Sequence, residues 1–244
     1  MKVIRTTNHQ EMSKIAANII LDRIKSSSHI TLGLATGGTP IQTYAYLAED
    51  YLENQTSYQH VVTFNLDEYI GLPKDDPNSY HYYMHQHLFS KVNIPRDQTF
   101  IPNGLTEDLA AECETYEQKI QQYNGIDLQL LGLGKNGHIG FNEPGTPFDQ
   151  HTHIVSLTRS TIQANARFFG TVEEVPKQAI TMGIGSIMES KEILLLVSGK
   201  EKNQALNKLL HGKIDEQFPA SILNNHENVT IIADEDAIMN TDIY

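Results

Sequence analysis

Residues 134–143, GKNGHIGFNE, place a histidine and a carboxylate in one glycine-rich segment. His138 and Glu143 are five positions apart, and Asn136 and Asn142 add two side-chain amides. Histidine titrates near neutral pH, and a neighbouring carboxylate can orient its ring and adjust its pKa. We interpret His138 and Glu143 as a proton-transfer pair, and the alternative is a histidine with a purely structural role.

The same segment also has the G-x-G-x-x-G spacing of a dinucleotide-binding turn, formed by Gly132, Gly134 and Gly137. Such a turn needs a helix that begins among the glycines, and an acidic residue about 20 positions later at the end of a second strand. Here Pro144 and Pro147 oppose a continuing helix. The following run, residues 152–159, ends in Arg159 instead of a carboxylate. We therefore expect no dinucleotide site.

A second acidic position follows the apolar run HVVTFNL at residues 60–66. Asp67 and Glu68 stand where a strand should end, so either carboxylate is a candidate general base, metal ligand or partner for sugar hydroxyls. A helix cap or a solvated turn is the alternative. Further on, His81 and His85 have the i, i+4 spacing of a zinc pair, but no H-E-x-x-H pattern accompanies them. We interpret this segment as a partly exposed aromatic helix and expect no metal site.

A phosphate site is predicted at ATGGTP, residues 35–40. Two glycines let backbone N–H groups turn toward an anion, two threonines offer hydroxyls, and the proline suits the start of a helix. The residues assigned to the anion are Thr36, Gly37, Gly38 and Thr39. The loop lacks the lysine of a nucleotide P-loop, and a plain tight turn is the alternative. Lys200, Lys202 and Arg167 are candidates for a second set of anion ligands.

Apolar runs alternate with longer amphipathic segments along the chain. Continuous apolar runs are typical of strands buried on both faces of a parallel sheet, and they occupy residues 29–35, 60–66, 127–133, 192–198 and 228–234. Helical spacing occurs in residues 8–27, 39–55 and 106–123. This alternation predicts a helix-flanked parallel sheet. Ligands bind outside the carboxyl ends of such strands, so the polar segments that follow the runs should meet at one edge.

The composition is that of an ordinary globular protein, with 244 residues, 39% hydrophobic, 20% charged and a net charge of −12. This acidic balance argues against nucleic acid as a partner, because phosphate backbones are bound by clustered lysine and arginine. The single cysteine, Cys113, allows no internal disulfide. We find neither a signal peptide at the N-terminus nor an apolar run of membrane-spanning length. We expect a cytoplasmic protein that does not bind membranes.

In this order and spacing, the motifs resemble those of the glucosamine-6-phosphate deaminases, within the glucosamine/galactosamine-6-phosphate isomerase family. The resemblance spans about residues 30 to 235 and rests on LATGGTP, VVTFNLDEYIGLP, LGLGKNGHIGFNEPG, NARFF and LLLVSGKEK. It implies a modified doubly wound, Rossmann-like three-layer α/β/α fold with a mostly parallel sheet, similar to that of ribose-5-phosphate isomerase. We expect one domain over residues 1–244, with a helical lid around 161–185.

The resemblance also implies a reaction: glucosamine 6-phosphate and water give fructose 6-phosphate and ammonia, without a metal or an organic cofactor. By this resemblance His138 assists opening of the sugar ring, and Glu143 pairs with it. Asp67 is the enolising base that carries a proton from C2 to C1. The phosphate would lie on the loop of residues 36–39, with Arg167 and Lys202 closing over it.

Two departures from the family pattern matter. Well-known members have aspartate where this chain has Asn136, and an amide can orient a histidine but cannot supply charge. We expect activity with an altered pH profile. In the allosteric, hexameric branch, arginine and lysine occupy the positions of His153 and Val155, and that branch extends beyond the position of Tyr244. We therefore expect no allosteric activation by N-acetylglucosamine 6-phosphate, and a monomer or small homo-oligomer.

Three alternatives remain open from the sequence. A 6-phosphogluconolactonase would share the fold but would not need an enolising carboxylate. A non-catalytic sugar-phosphate sensor would require a DNA-binding segment, and no basic helix-turn-helix region precedes residue 30. An isomerase that acts on aminosugar phosphates without releasing ammonia is the third.

Overall fold

The computed structural model describes residues 1–166, 169–239 and 241. The strands are β1 (Lys2–Thr6), β2 (Ile30–Leu34), β3 (Val61–Asn65), β4 (Asp67–Tyr69), β5 (Thr99–Phe100), β6 (Leu128–Gly132), β7 (His153–Ser156), β8 (Gln178–Thr181), β9 (Glu192–Val197) and β10 (Val229–Asp234). The five strands predicted from apolar runs are β2, β3, β6, β9 and β10, and all five are confirmed.

The helices are α1 (His9–Ser26), α2 (Ile41–Asn54), α3 (Tyr80–Met84), α4 (Leu109–Gln122), α5 (Arg159–Asn165), α6 (Ile184–Met188), α7 (Asn203–His211) and α8 (Glu235–Ile238). A π-helical turn, His85–Phe89, continues α3, and 3-10 turns occupy Arg96–Gln98, Lys200–Lys202 and Pro219–Asn225. The three long helices predicted from periodicity are α1, α2 and α4. None of the helices in the described part of the chain is long and apolar enough to cross a membrane.

Seven strands form a fully parallel central sheet in the order β1-β10-β9-β6-β2-β3-β5. From β2 the chain moves outward through β3 to β5, and from β6 it moves the other way through β9 to β10. The direction therefore reverses between the adjacent strands β2 and β6. In open α/β sheets, ligands bind in the crevice at such a switch point.

Helices cover both faces of this sheet, so the predicted three-layer fold is confirmed. On one face, α1, α2 and the segment from α3 into the π-helical turn bury side chains such as Ile20, Leu47 and Leu88. On the other face, α4, α6, α7 and α8 bury residues such as Tyr116 and Leu206. Every residue of β2, β3, β9 and β10 is buried, which explains why these strands read as continuous apolar runs.

A small antiparallel sheet in the order β4-β8-β7 adds to this architecture. It pairs Asp67 with Thr181 across the strands. Because β8 is a strand, the helical lid expected around 161–185 is helical only in part: α5 covers its beginning and α6 starts at Ile184. No apolar run is long enough to indicate β8 or the three-residue strand β4.

Candidate active site

The segment after β6 holds three side chains in one hydrogen-bonded chain. The Nδ1 atom of His138 lies 2.7 Å from Oδ1 of Asn136, and Nδ2 of the same amide donates to Oε2 of Glu143 at 2.7 Å. The direct distance from His138 Nδ1 to Glu143 Oε2 is 3.9 Å. The predicted histidine–carboxylate pair is therefore bridged by Asn136.

This arrangement assigns the tautomer of His138. Oδ1 of Asn136 can only accept, so Nδ1 of the ring carries the proton and Nε2 keeps its lone pair. Burial lowers the pKa of His138, and the charge of Lys202 lowers it further against an opposing effect of Glu143. The side chain is still 32% exposed. A neutral, partly exposed imidazole whose Nε2 keeps its lone pair can take a proton from a bound hydroxyl.

The second oxygen of Glu143 is held from a distant segment. Thr161 Oγ1, in the first turn of α5, donates to Oε1, and Thr158 Oγ1 lies 3.5 Å from the same oxygen. Thr158 also caps α5, because its side chain accepts from the Thr161 backbone N–H. The carboxylate of Glu143 thus connects α5 to the loop that carries His138.

The glycines of this loop allow its backbone to pack against the ring of His138, and no dinucleotide-binding turn is formed there. Gly134 N donates to His138 O at 2.9 Å, and a β-carbon on Gly134 would stand 2.4 Å from the imidazole ring. Gly137 has φ +85°, which favours glycine. Asn142 is fully buried and donates to Ile139 O and Met182 O, so it holds the loop in place.

Asp67 belongs to β4 and is 6% exposed. Burial raises its pKa to about 8, and the charge of Glu68 adds to this effect. The carboxylate lies against the loop that carries His138, because a β-carbon on Gly140 would stand 3.5 Å from Oδ2 of Asp67. A carboxyl group with such a pKa can exchange protons near neutral pH.

The predicted phosphate loop lies at the other side of the switch point, between β2 and α2. Gly37 has φ +89°, and a β-carbon on Gly37 or Gly38 would meet no atom within 4 Å. Tyr83 donates its hydroxyl to Gly37 O at 2.7 Å, and Thr39 O contacts His9 Nε2 at 3.0 Å. Open space next to the two glycines is what close approach of a phosphate requires.

The three basic residues predicted as a second set of anion ligands lie in different places. Lys202 donates to Leu133 O at 2.8 Å and lies close enough to His138 to affect its pKa. Lys200 is directed away, 71% exposed and 3.9 Å from Asp236 Oδ1. Arg167 lies outside the described residues.

The histidines downstream of Asp67 form no metal cluster. His81 Nδ1 binds Glu68 Oε2 at 2.8 Å. Within residues 1–166, 169–239 and 241, no three histidine, cysteine or acidic side chains are grouped so that they could hold a metal ion.

Two side chains have roles at the site that no sequence pattern indicated. Thr161 gave no signal, because it is 18 residues from the carboxylate it binds. Glu68 was a candidate base, metal ligand or hydroxyl partner alongside Asp67, whereas in the structure its carboxylate accepts four hydrogen bonds from the protein.

Known proteins with similar sequences show the family of this chain. Residues 6–232 match the family model described as glucosamine-6-phosphate isomerases/6-phosphogluconolactonase. The chain is 58% identical to glucosamine-6-phosphate deaminase of Shouchella clausii, over 97% of this chain and 96% of that protein. It is 52% identical to glucosamine-6-phosphate deaminase 1 of Bacillus subtilis, over 97% and 98% of the two chains.

Solved structures agree with this placement. A monomeric glucosamine-6-phosphate deaminase superposes with a TM-score of 0.96 at 51% identity, covering 97% of this chain and 98% of that one. The 6-phosphogluconolactonase of Trypanosoma cruzi has a TM-score of 0.79 at 22% identity, covering 99% and 97%, which shows a shared fold. The chain belongs to the glucosamine-6-phosphate isomerase/6-phosphogluconolactonase family.

Proposed function

We propose that the protein is a glucosamine-6-phosphate deaminase, which converts glucosamine 6-phosphate and water to fructose 6-phosphate and ammonia. The observation that carries this proposal is the buried carboxyl group of Asp67, with a pKa of about 8, beside the bridged His138–Asn136–Glu143 group. Relatives with this activity in their names match nearly the whole chain.

Ring opening is the first step that this site supports. The loop of residues 36–39 and Lys202 bind the phosphate, which places the sugar at the switch point. Nε2 of His138 accepts the proton of the C1 hydroxyl and returns a proton to the ring oxygen as the C1–O5 bond breaks. The ring Nδ1–H stays bonded to Asn136, which keeps the imidazole oriented through this transfer.

Isomerisation and deamination follow. Ionised Asp67 removes the proton from C2 of the open-chain aldehyde while a proton of the C2 ammonium group passes to O1, which gives an enolamine. The protonated Asp67 then delivers its proton to C1, and the C2–N bond becomes a protonated imine. Water adds to this carbon, and ammonia departs as the C2–N bond breaks. The buried setting of Asp67 suits this transfer because it strengthens the base and excludes competing solvent.

Ammonia release from glucosamine 6-phosphate is the direct test. The parent protein should release ammonia and fructose 6-phosphate in equal amounts, and Asp67→Asn and His138→Gln should each lose at least about 100-fold in kcat. Hydrolysis of 6-phosphogluconolactone in place of this reaction would support the lactonase. Binding without turnover would support the sensor, and isomerised product without ammonia would support the isomerase.

We also propose that the enzyme is cytoplasmic and has no allosteric activation. Of the two predicted assemblies, a monomer or a small homo-oligomer, we propose the monomer, because the solved deaminase at 51% identity is monomeric. His153 lies on β7 and bonds to His151 O, and Val155 is apolar, so neither supplies the fixed charge that an anionic effector needs. Light scattering should give a mass near the chain mass of 27.4 kDa. Sigmoidal kinetics that N-acetylglucosamine 6-phosphate abolishes would contradict the proposal.

A further inference from the structure

Glu68, the neighbour of the proposed base, has a carboxylate surrounded by N–H donors. Oε1 accepts from Tyr69 N at 2.8 Å and from Tyr80 N at 2.9 Å. Oε2 accepts from His81 N at 3.0 Å and from His81 Nδ1 at 2.8 Å. The residue is 1% exposed, so these four bonds replace its entire contact with water. The ring-opening and isomerisation steps above do not use this group.

These bonds fix the first turn of α3 against β4. Helix α3 also holds the phosphate loop. Tyr83 donates to Gly37 O at 2.7 Å, and a side-chain hydrogen bond joins Tyr80 to Thr36. The ring of Tyr80 also stacks on Phe141, at 6.2 Å between centroids, in the loop that leads to Glu143. One carboxylate therefore connects the strand of the base with both neighbouring loops.

Glu68 also determines the charge next to Asp67. The titratable groups that interact electrostatically with Asp67 come from β4, α3 and α4: Glu68, Tyr69, Tyr80 and Tyr116. The three tyrosines are neutral at physiological pH, because burial raises each tyrosine pKa above its ordinary value. Glu68 is thus the one of these four that can bear a negative charge beside the base.

We propose that Glu68 is a positioning residue for the isomerisation: its buried carboxylate holds the enolising base and the phosphate loop in fixed relation and keeps negative charge beside that base. The inference rests on the proposed function. Its two parts predict separate effects, one on the pH at which the base ionises and one on the binding of the phosphate group.

Glu68→Gln separates these effects from simple loss of stability. It removes the charge and turns an acceptor into an amide donor that faces the His81 backbone N–H. We expect the acid limb of the pH profile of kcat/KM to move about one pH unit lower, because a like charge beside Asp67 is removed. We expect KM to rise about tenfold, because a tenfold change in binding corresponds to about the free energy of one hydrogen bond to a charged group. Glu68→Asp keeps the charge, and its acid limb should stay at the parent position.

Glu192→Gln is the matched control. Glu192 is a buried carboxylate that pairs with Arg23 at 2.8 Å; it is the first residue of β9 and therefore lies at the opposite end of the strands from the site. The Glu192→Gln substitution should lower the melting temperature and leave both the acid limb of the pH profile and KM unchanged. A folded Glu68→Gln variant with the parent's acid limb and with KM within twofold would overturn the inference.

A second pair of variants covers the case in which Glu68→Gln does not fold. His81→Leu removes one of the four donors, and His81→Asn restores a side-chain donor. KM should rise at least threefold in the first and return toward the parent value in the second. Equal, parent-like KM values in both would overturn the inference.

An NMR titration keeps the inference distinct from the proposed function. In protein labelled at the aspartate carboxyl carbons, the Asp67 signal is assigned by its loss in Asp67→Asn. Its pKa should fall in Glu68→Gln, whether or not the enzyme turns over glucosamine 6-phosphate. A parent protein that releases no ammonia would refute the function, whereas an unchanged Asp67 titration would refute the role of Glu68.

Discussion

Asn136 Nδ2 donates to Glu143 Oε2 at 2.7 Å, in a position where a second carboxylate would meet it oxygen to oxygen. The same amide accepts from His138 through Oδ1, also at 2.7 Å. The bridge therefore orients the imidazole without adding charge, whereas an aspartate at this position would have to share a proton with Glu143 or displace it.

Asn136→Asp should raise the pKa of His138 by about one unit or more, because an anionic group would replace a neutral amide beside the ring. NMR titration of the imidazole signals measures this shift. Asn136→Ala is the control, because it removes the hydrogen bonds without adding charge and should leave the pKa below its usual value. An unchanged pKa in the aspartate variant would show that the bridge does not determine the charge of His138.

Gly134→Ala should lower kcat by about 10- to 100-fold, since a displacement of about 1 Å at a catalytic group has effects of this size. Its β-carbon would stand 2.4 Å from the ring of His138, which would have to turn away from Asn136. Gly132→Ala, two residues earlier, is the control, because a β-carbon there meets nothing within 4 Å. Equal kcat values for the two variants would argue against a role of Gly134 in placing the ring.

Thr161→Val should lower kcat about tenfold, because the loss of one hydrogen bond to a charged group costs roughly 1.5–3 kcal/mol. The variant frees Oε1 of Glu143 from α5 while it preserves the volume of the side chain. Thr31→Val is the matched control: its buried hydroxyl has no hydrogen-bond partner in the described structure, and it lies in β2. Steady-state kinetics of both variants measure the effect, and parent-like kcat in Thr161→Val would exclude this contact from the mechanism.

Gly38→Ala should raise KM for glucosamine 6-phosphate by about tenfold or more, because a methyl group would fill space that the phosphate needs to approach the backbone N–H groups. No atom lies within 4 Å of the added carbon, so the fold should tolerate it. The comparison substrate is glucosamine, which lacks the phosphate and should be turned over equally poorly by the parent and the variant. An unchanged KM for the phosphorylated sugar would place the phosphate elsewhere.

Asp67 should give the enzyme a characteristic pH dependence. Its pKa of about 8 in the folded protein means that kcat/KM should rise with pH toward 8, as the base becomes ionised. The folded carboxyl group also keeps a proton that the unfolded chain, with an aspartate pKa of about 3.9, releases. Its contribution to stability is therefore complete below about pH 4 and is lost as the pH rises through 8.

Asp67→Asn should consequently be more stable than the parent at pH 9, by at most about 6 kcal/mol in free energy of unfolding, and close to it at pH 4. Urea denaturation at both pH values measures the difference. The variant should be inactive at both. A stability difference that does not grow with pH would contradict the raised pKa.

Much of the fold was predictable because its signals are local. Buried strands such as β2 and β9 require apolar side chains on both faces, and the long helices require one apolar stripe, so each leaves a pattern within a short window. Because ligands bind at the carboxyl ends of parallel strands, the loops after β2 and β6 could then be predicted to lie close together. The three-residue strand β4 is too short to leave such a pattern.

Residue patterns along the chain were enough to predict the layered α/β architecture, the end of the sheet where the site lies, and the residue types present there. Other features became visible only in the folded protein: Asn136 stands between His138 and Glu143, Thr161 reaches Glu143 from α5, and Glu68 faces inward toward α3. The reason is physical. Periodicity reflects which face of an element is buried, whereas hydrogen-bond partners and pKa values depend on groups that packing brings together from distant parts of the chain.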